Sequence, residues 1–144
     1  MDKRLRLEHA YHNESTCHYL NNNGGFSDWV VTTAFYTCLH FVCYKIFPLE
    51  IKEKDGSTAS IKTVEQFKIY YGLENDKHSV LAELVTDELP HIGSMYDEIM
   101  GYCMTARYHS YRTKPKKAER AMEIMREIKY LLGFPDTLPQ TGLV

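Results

Sequence analysis

The segment from Trp29 to Phe47, WVVTTAFYTCLHFVCYKIF, constrains the fold more than any other part of the chain. It holds no glycine, proline or other turn signal, and it ends against Pro48. Its valines, threonines and aromatics would each suit a strand. About twenty uninterrupted residues are too many for one, however, and the length favours a helix. Ser27 is placed to cap the start, and a proline pushes the residue before it out of the α region, so the helix ends before Pro48. A segment this apolar is nearly long enough to span a bilayer. Thr32, Thr33, Thr37, His40 and Lys45 interrupt it, and no second such segment follows. The expectation is a central helix buried on most sides, with no membrane span.

The punctuation elsewhere is also helical. Asp2 can cap a first helix to about Asn21, with Leu7, Ala10, Tyr11, Cys17 and Leu20 on its apolar side, and NNNGG stops it. The polar run PLEIKEKDGS is expected to be an exposed loop. From Ser57 or Ser60 a short helix would carry Ile61, Val64, Phe67 and Tyr71, closed by Gly72. Val80, Leu81, Leu84, Val85 and Leu89 repeat at helical spacing, and Pro90 either opens a new helix or kinks a long one. Ile92, Met95, Tyr96, Ile99, Cys103 and Ala106 form the next face. Pro115 fits the first position of a last helix, whose stripe of Ala118, Ala121, Met122, Met125, Ile128 and Leu132 ends at Gly133 and Pro135.

These segments predict an all-α fold, an up-and-down bundle of four to six helices joined by short connections. At 144 residues the chain is one domain, placed over residues 1–134, with residues 135–144 as a loosely ordered tail. Cys17, Cys38, Cys43 and Cys103 show no CxxC spacing, and the start MDKRLRLEH lacks an apolar signal region. Reduced thiols in a cytoplasmic protein are therefore expected.

The chemistry-bearing residues divide into three groups. Seven histidines invite a metal, but His9 and His12 stand alone beside Glu8, with neither an HExxH motif nor a Cys/His quartet, and no metal or cofactor is expected. A metal-dependent hydrolase would need those histidines to meet Asp97 or Glu98. Cys38, His40 and Cys43 read as core thiols and one satisfied histidine. Cys103 lies close in sequence to His109, but it continues an apolar helix face and behaves as a small buried hydrophobe. The third group is CMTARYHSYRTKPKK, Cys103 to Lys117. Net charge is only −2, yet Arg107, Arg112, Lys114, Lys116, Lys117 and Arg120 fall within fourteen residues against Glu119 alone. Such a local excess attracts phosphates. Tyr108 and Tyr111 offer faces on which unpaired bases stack, and His109 can move protons near neutral pH. A solvated loop before a helix is the plain alternative.

Two stretches resemble the HEPN superfamily of small helical bundles. DWVVTTAFYTCLHF, Asp28 to Phe41, is similar to the W-a-v-t-A-a-F-Y-a-a-L-H segment of one branch of small bacterial HEPN proteins. YCMTARYHSY, Tyr102 to Tyr111, resembles the segment that carries R-x4-6-H, extended in HEPN toxins to R-x4-H-x-Y. His109 and Tyr111 match the motif histidine and tyrosine, while Met104 occupies the arginine position and Arg107 is the nearest guanidinium. The resemblance implies a homodimer whose cleft joins the motif from both chains, with RNA as substrate. It also implies a nucleotidyltransferase-type partner that can modify the tyrosine.

Two functions follow as expectations. The first is an RNA- or nucleotide-associated protein, a metal-independent ribonuclease of a toxin–antitoxin or phage-defence system with Arg107, His109 and Tyr111 catalytic. Tyr108, Arg112, Lys114, Lys116 and Lys117 would bind the nucleic acid. The second is a non-catalytic dimeric helical module that binds a partner protein, in which His109 and Tyr111 sit on an ordinary exposed helix end.

Overall fold

Three helix starts are fixed by side chains that accept from first-turn N–H groups: Asp2 from Arg4, Thr63 from Gln66 and Asp76 from Ser79. These caps lie in a computed structural model that describes residues 2–140. The order is α1 (Lys3–Asn23), α2 (Ser27–Ile46), β1 (Leu49–Lys52), β2 (Thr58–Ile61), α3 (Val64–Tyr71), α4 (Lys77–Glu88), a 3₁₀ turn (Pro90–Ile92), α5 (Gly93–Tyr108) and α6 (Pro115–Leu131). The fold is an all-α bundle, as the sequence predicts.

The apolar segment forms its axis. α2 packs against α1, α4, α5 and α6, and Val31, Ala34, Phe35, Cys38, Phe41 and Val42 are wholly buried. Phe35 meets Tyr96 of α5 at 5.7 Å and Phe41 meets Tyr11 of α1 at 5.4 Å between ring centroids. Fully burying one such side chain stabilises by roughly 1.5–3 kcal/mol. Gly24 and Gly25, at φ 69° and 78°, turn the chain between α1 and α2 in a region closed to most other residues. Ser27 is not the cap that the sequence suggests: it is the first residue of α2, Phe26 occupies the cap position, and no side chain bonds the helix start. Among the described residues no helix is long and apolar enough to cross a membrane.

Two further expectations change. The run after Pro48 is a hairpin, not a loop, with Leu49 opposite Ile61 and Ile51 opposite Ala59. Its turn closes because the Asp55 carboxylate accepts from the Ser57 N–H and hydroxyl, and Gly56 takes φ 89°. Ile61 therefore ends a strand, and α3 begins three residues later. The tail is also held, as far as Pro139. Phe134 stacks on Phe41 at 4.3 Å, Tyr11 donates to the Pro135 carbonyl and Arg4 to that of Pro139. Residues 141–144 lie outside the described part.

Candidate functional site

The basic stretch is a turn joining two helices. α5 ends where His109 and Ser110 both donate their N–H to the Thr105 carbonyl, at 3.0 and 2.9 Å. α6 restarts at Pro115, and no side chain caps its first turn. Between them lies a concavity of about 150 Å³ lined by Tyr102, Thr105, Ser110, Arg112, Thr113, Lys114 and Lys117. Three cations thus share one small space with several hydroxyl groups, and the Lys117 ammonium sits 5.5 Å from the Tyr102 ring. Tyr108 and Tyr111 are 64% and 71% exposed beside it. Lys116 is exposed on the same turn. Arg120 does not add to this charge, because it grips Glu98 through two nitrogens at 2.9 and 3.2 Å and also reaches Glu123.

Arg107 points the other way. It donates to the Tyr36 hydroxyl on α2, with its guanidinium 5.7 Å from the Tyr36 ring and 5.0 Å from that of Tyr108. The Tyr36 ring in turn meets His78 of α4 edge-on at 6.2 Å. Arg107 is thus assembled with Tyr36 and His78. His109 occupies the exposed helix end, and Tyr111 lies against Arg112 at 5.9 Å. Burial raises the Tyr36 phenol, opposed by the Arg107 charge. Burial lowers the His78 imidazole, with Asp76 opposing and Arg107 and Lys77 reinforcing.

Behind this cluster a groove of about 430 Å³ runs between α2, α3 and α4, with Arg6 of α1 on its wall. Tyr36 and His40, one helical turn apart, both face it. His40 is not the satisfied histidine that the sequence suggests: its buried Nδ1 has no hydrogen-bond partner among the described residues. The His9 ring lies 5.2 Å away. Burial, then the charges of His9 and Arg6, lower the His40 pKa to about 4. The sign of the resulting pH dependence is fixed. Above an unfolded pKa near 6.5 the ring is neutral in both states, and as pH falls from there to about 4 only the unfolded chain takes up the proton. Unfolding free energy is expected to drop by on the order of 2 kcal/mol across that window, allowing for partial exposure. Urea titrations at pH 7 and pH 4.5 test this; a His40→Gln variant with an undiminished loss would remove His40 as its source.

The remaining candidates separate. Among the described residues no three His, Cys, Asp or Glu side chains converge, and Glu98 is engaged by Arg120 and by Tyr102 at 2.7 Å. All four cysteines are buried and free; burial pushes the Cys103 thiol up to about 11, which leaves it a poor nucleophile.

Compared with family models, with curated proteins and with solved structures, the chain shows no match in any of the three.

Proposed function

We propose that this protein is a HEPN-like RNA-associated bundle that acts as a homodimer and cleaves RNA without a metal, in a toxin–antitoxin or phage-defence setting. The observation that carries the reading is the concavity at the α5–α6 turn. Arg112, Lys114 and Lys117 converge there with the hydroxyl-bearing Thr105, Ser110 and Thr113, beside Tyr102, whose hydroxyl is engaged with Glu98. This donor set suits a phosphodiester oxygen, and Tyr108 and Tyr111, largely exposed beside it, suit the adjoining unpaired bases. Arg107, turned away from that concavity and held by Tyr36, is the cation for the transition-state charge in a cleft that the partner subunit completes. Tyr111, exposed on the turn, is also accessible to a nucleotidyltransferase-type partner.

A second reading, the non-catalytic dimeric module that recruits a partner protein, draws on one observation. His109 stands on an exposed helix end, apart from the Arg107–Tyr36–His78 cluster.

The test is labelled single-stranded RNA with purified protein in EDTA, followed by binding at several salt concentrations. An Arg112→Ala/Lys114→Ala/Lys117→Ala variant is expected to weaken binding and to flatten the plot of log affinity against log salt by about 2. An unchanged slope would exclude the turn as the phosphate site. Neither binding nor cleavage of the RNA by the wild-type protein would select the second reading.

A further inference from the structure

We propose that the groove between α2, α3 and α4 binds a phosphate monoester carried on a nucleoside, either a free mononucleotide or the 5′-phosphorylated end of an RNA strand. This site is separate from the α5–α6 turn and does not depend on what binds there.

Charge and shape both point to such a ligand. Arg6 enters from α1 and makes no ion pair among the described residues. Lys77 enters from α4 paired at 2.8 Å with Glu65, the one carboxylate on the wall among the described residues, so the net charge of the lining rests on Arg6. Two imidazoles from different helices, His40 and His78, line the same groove. Imidazoles beside an unpaired guanidinium supply N–H donors and can take up a proton when a dianion arrives. Arginine, ammonium and imidazole groups from three helices match the several oxygens of a monoester dianion better than the single exposed edge of a diester.

The groove is larger than a phosphate needs. Its volume of about 430 Å³ lies in the range of small-molecule sites, and Leu39, Val64 and Leu81 give it an apolar side suited to a sugar and base. The groups that set the imidazoles' protonation come from α1, α4 and α5: His9 and Arg6 of α1 at His40, and Asp76 and Lys77 at the start of α4 with the α5 guanidinium of Arg107 at His78, while Glu65 of α3 is held by Lys77. Arg107 also ties the rim of the groove to α5 through Tyr36.

Calorimetry and histidine-resolved NMR test the assignment with 5′-AMP, adenosine, and an RNA oligomer carrying either a 5′-phosphate or a 5′-hydroxyl. 5′-AMP is expected to bind saturably and at least about tenfold more tightly than adenosine, as befits a charge-assisted contact. It should shift the His40 and His78 ring resonances and raise both titration midpoints. Arg6→Gln and Lys77→Gln should each weaken 5′-AMP binding several-fold. The Arg112→Ala/Lys114→Ala/Lys117→Ala variant should leave it unchanged, which separates this site from the proposed RNA-binding turn. If the 5′-phosphorylated oligomer competes with 5′-AMP and its 5′-hydroxyl counterpart does not, the ligand is an RNA end. If neither oligomer competes, it is a free nucleotide. Equal affinity for 5′-AMP and adenosine, no saturable binding, or binding that leaves both histidine resonances unmoved overturns the proposal. The NMR readout on the wild-type protein holds even if a variant fails to fold.

Discussion

Lys129→Ala is expected to lower the unfolding free energy by about 3–5 kcal/mol, more than most single surface changes, because it strands a buried carboxylate. The Lys129 ammonium bonds both oxygens of Glu14, at 3.0 and 2.8 Å, and the Asp136 carbonyl at 2.9 Å. Both side chains are only 10% exposed, and the ammonium lies 5.1 Å from the Tyr11 ring. One cation thus joins α6, α1 and the C-terminal segment at a place that water scarcely reaches. Removing it leaves the Glu14 charge without its counter-ion, and the cost of that exceeds the net worth of the pair. A melting temperature lower by about 10–15 °C would correspond. The double variant Glu14→Met/Lys129→Met separates the two effects. It is expected to regain at least about 2 kcal/mol over the single variant, since neither charge is then buried alone. A double variant as unstable as Lys129→Ala would show that the loss comes from packing and from the Asp136 contact.

This pair illustrates where the sequence stops being informative. Lys129 falls between Met125 and Leu132 on the apolar stripe of α6, a position a surface lysine does not usually take, so half of the signal was present. Glu14 lies 115 residues earlier, and no local pattern connects the two. The helices themselves were legible because glycine and proline mark their ends through backbone sterics alone: Pro48, Gly72, Pro115 and Gly133 all stand at or just beyond a helix boundary. The hairpin was missed because each four-residue strand carries only two apolar residues among polar or charged ones, although Asp55–Gly56 is a recognised turn signal. The candidate site divides in the same way. The basic turn is contiguous, and its charge density can be counted. The Tyr36–His78–Arg107 cluster is brought together by α2, α4 and α5 packing from positions 36, 78 and 107, and helical phase within α5 could not show that Arg107 turns toward α2.

The same geometry makes a sharp prediction for activity. Arg107→Ala is expected to reduce metal-independent RNA cleavage by about 100- to 1,000-fold, the cost of removing one preorganised donor from a developing charge. Tyr36→Phe leaves the guanidinium present but removes the hydroxyl that orients it, so a smaller loss is expected, with partial retention of activity. His109→Ala should also be strongly impaired if the histidine acts as the base. His109 and Arg107 of one protomer diverge, however, so the proposed cleft has to pair Arg107 with His109 of the partner subunit. That arrangement has a readout that single variants lack. When Arg107→Ala and His109→Ala proteins are mixed and allowed to exchange subunits, half of the dimers are mixed, and each mixed dimer holds one intact cleft of two. About a quarter of wild-type activity should therefore return from two inactive proteins. A mixture no more active than its components would place both residues in the same subunit's site or outside the chemistry. A His78→Ala variant, folded but as inactive as Arg107→Ala, would then move the base from the helix end to the imidazole beside Tyr36.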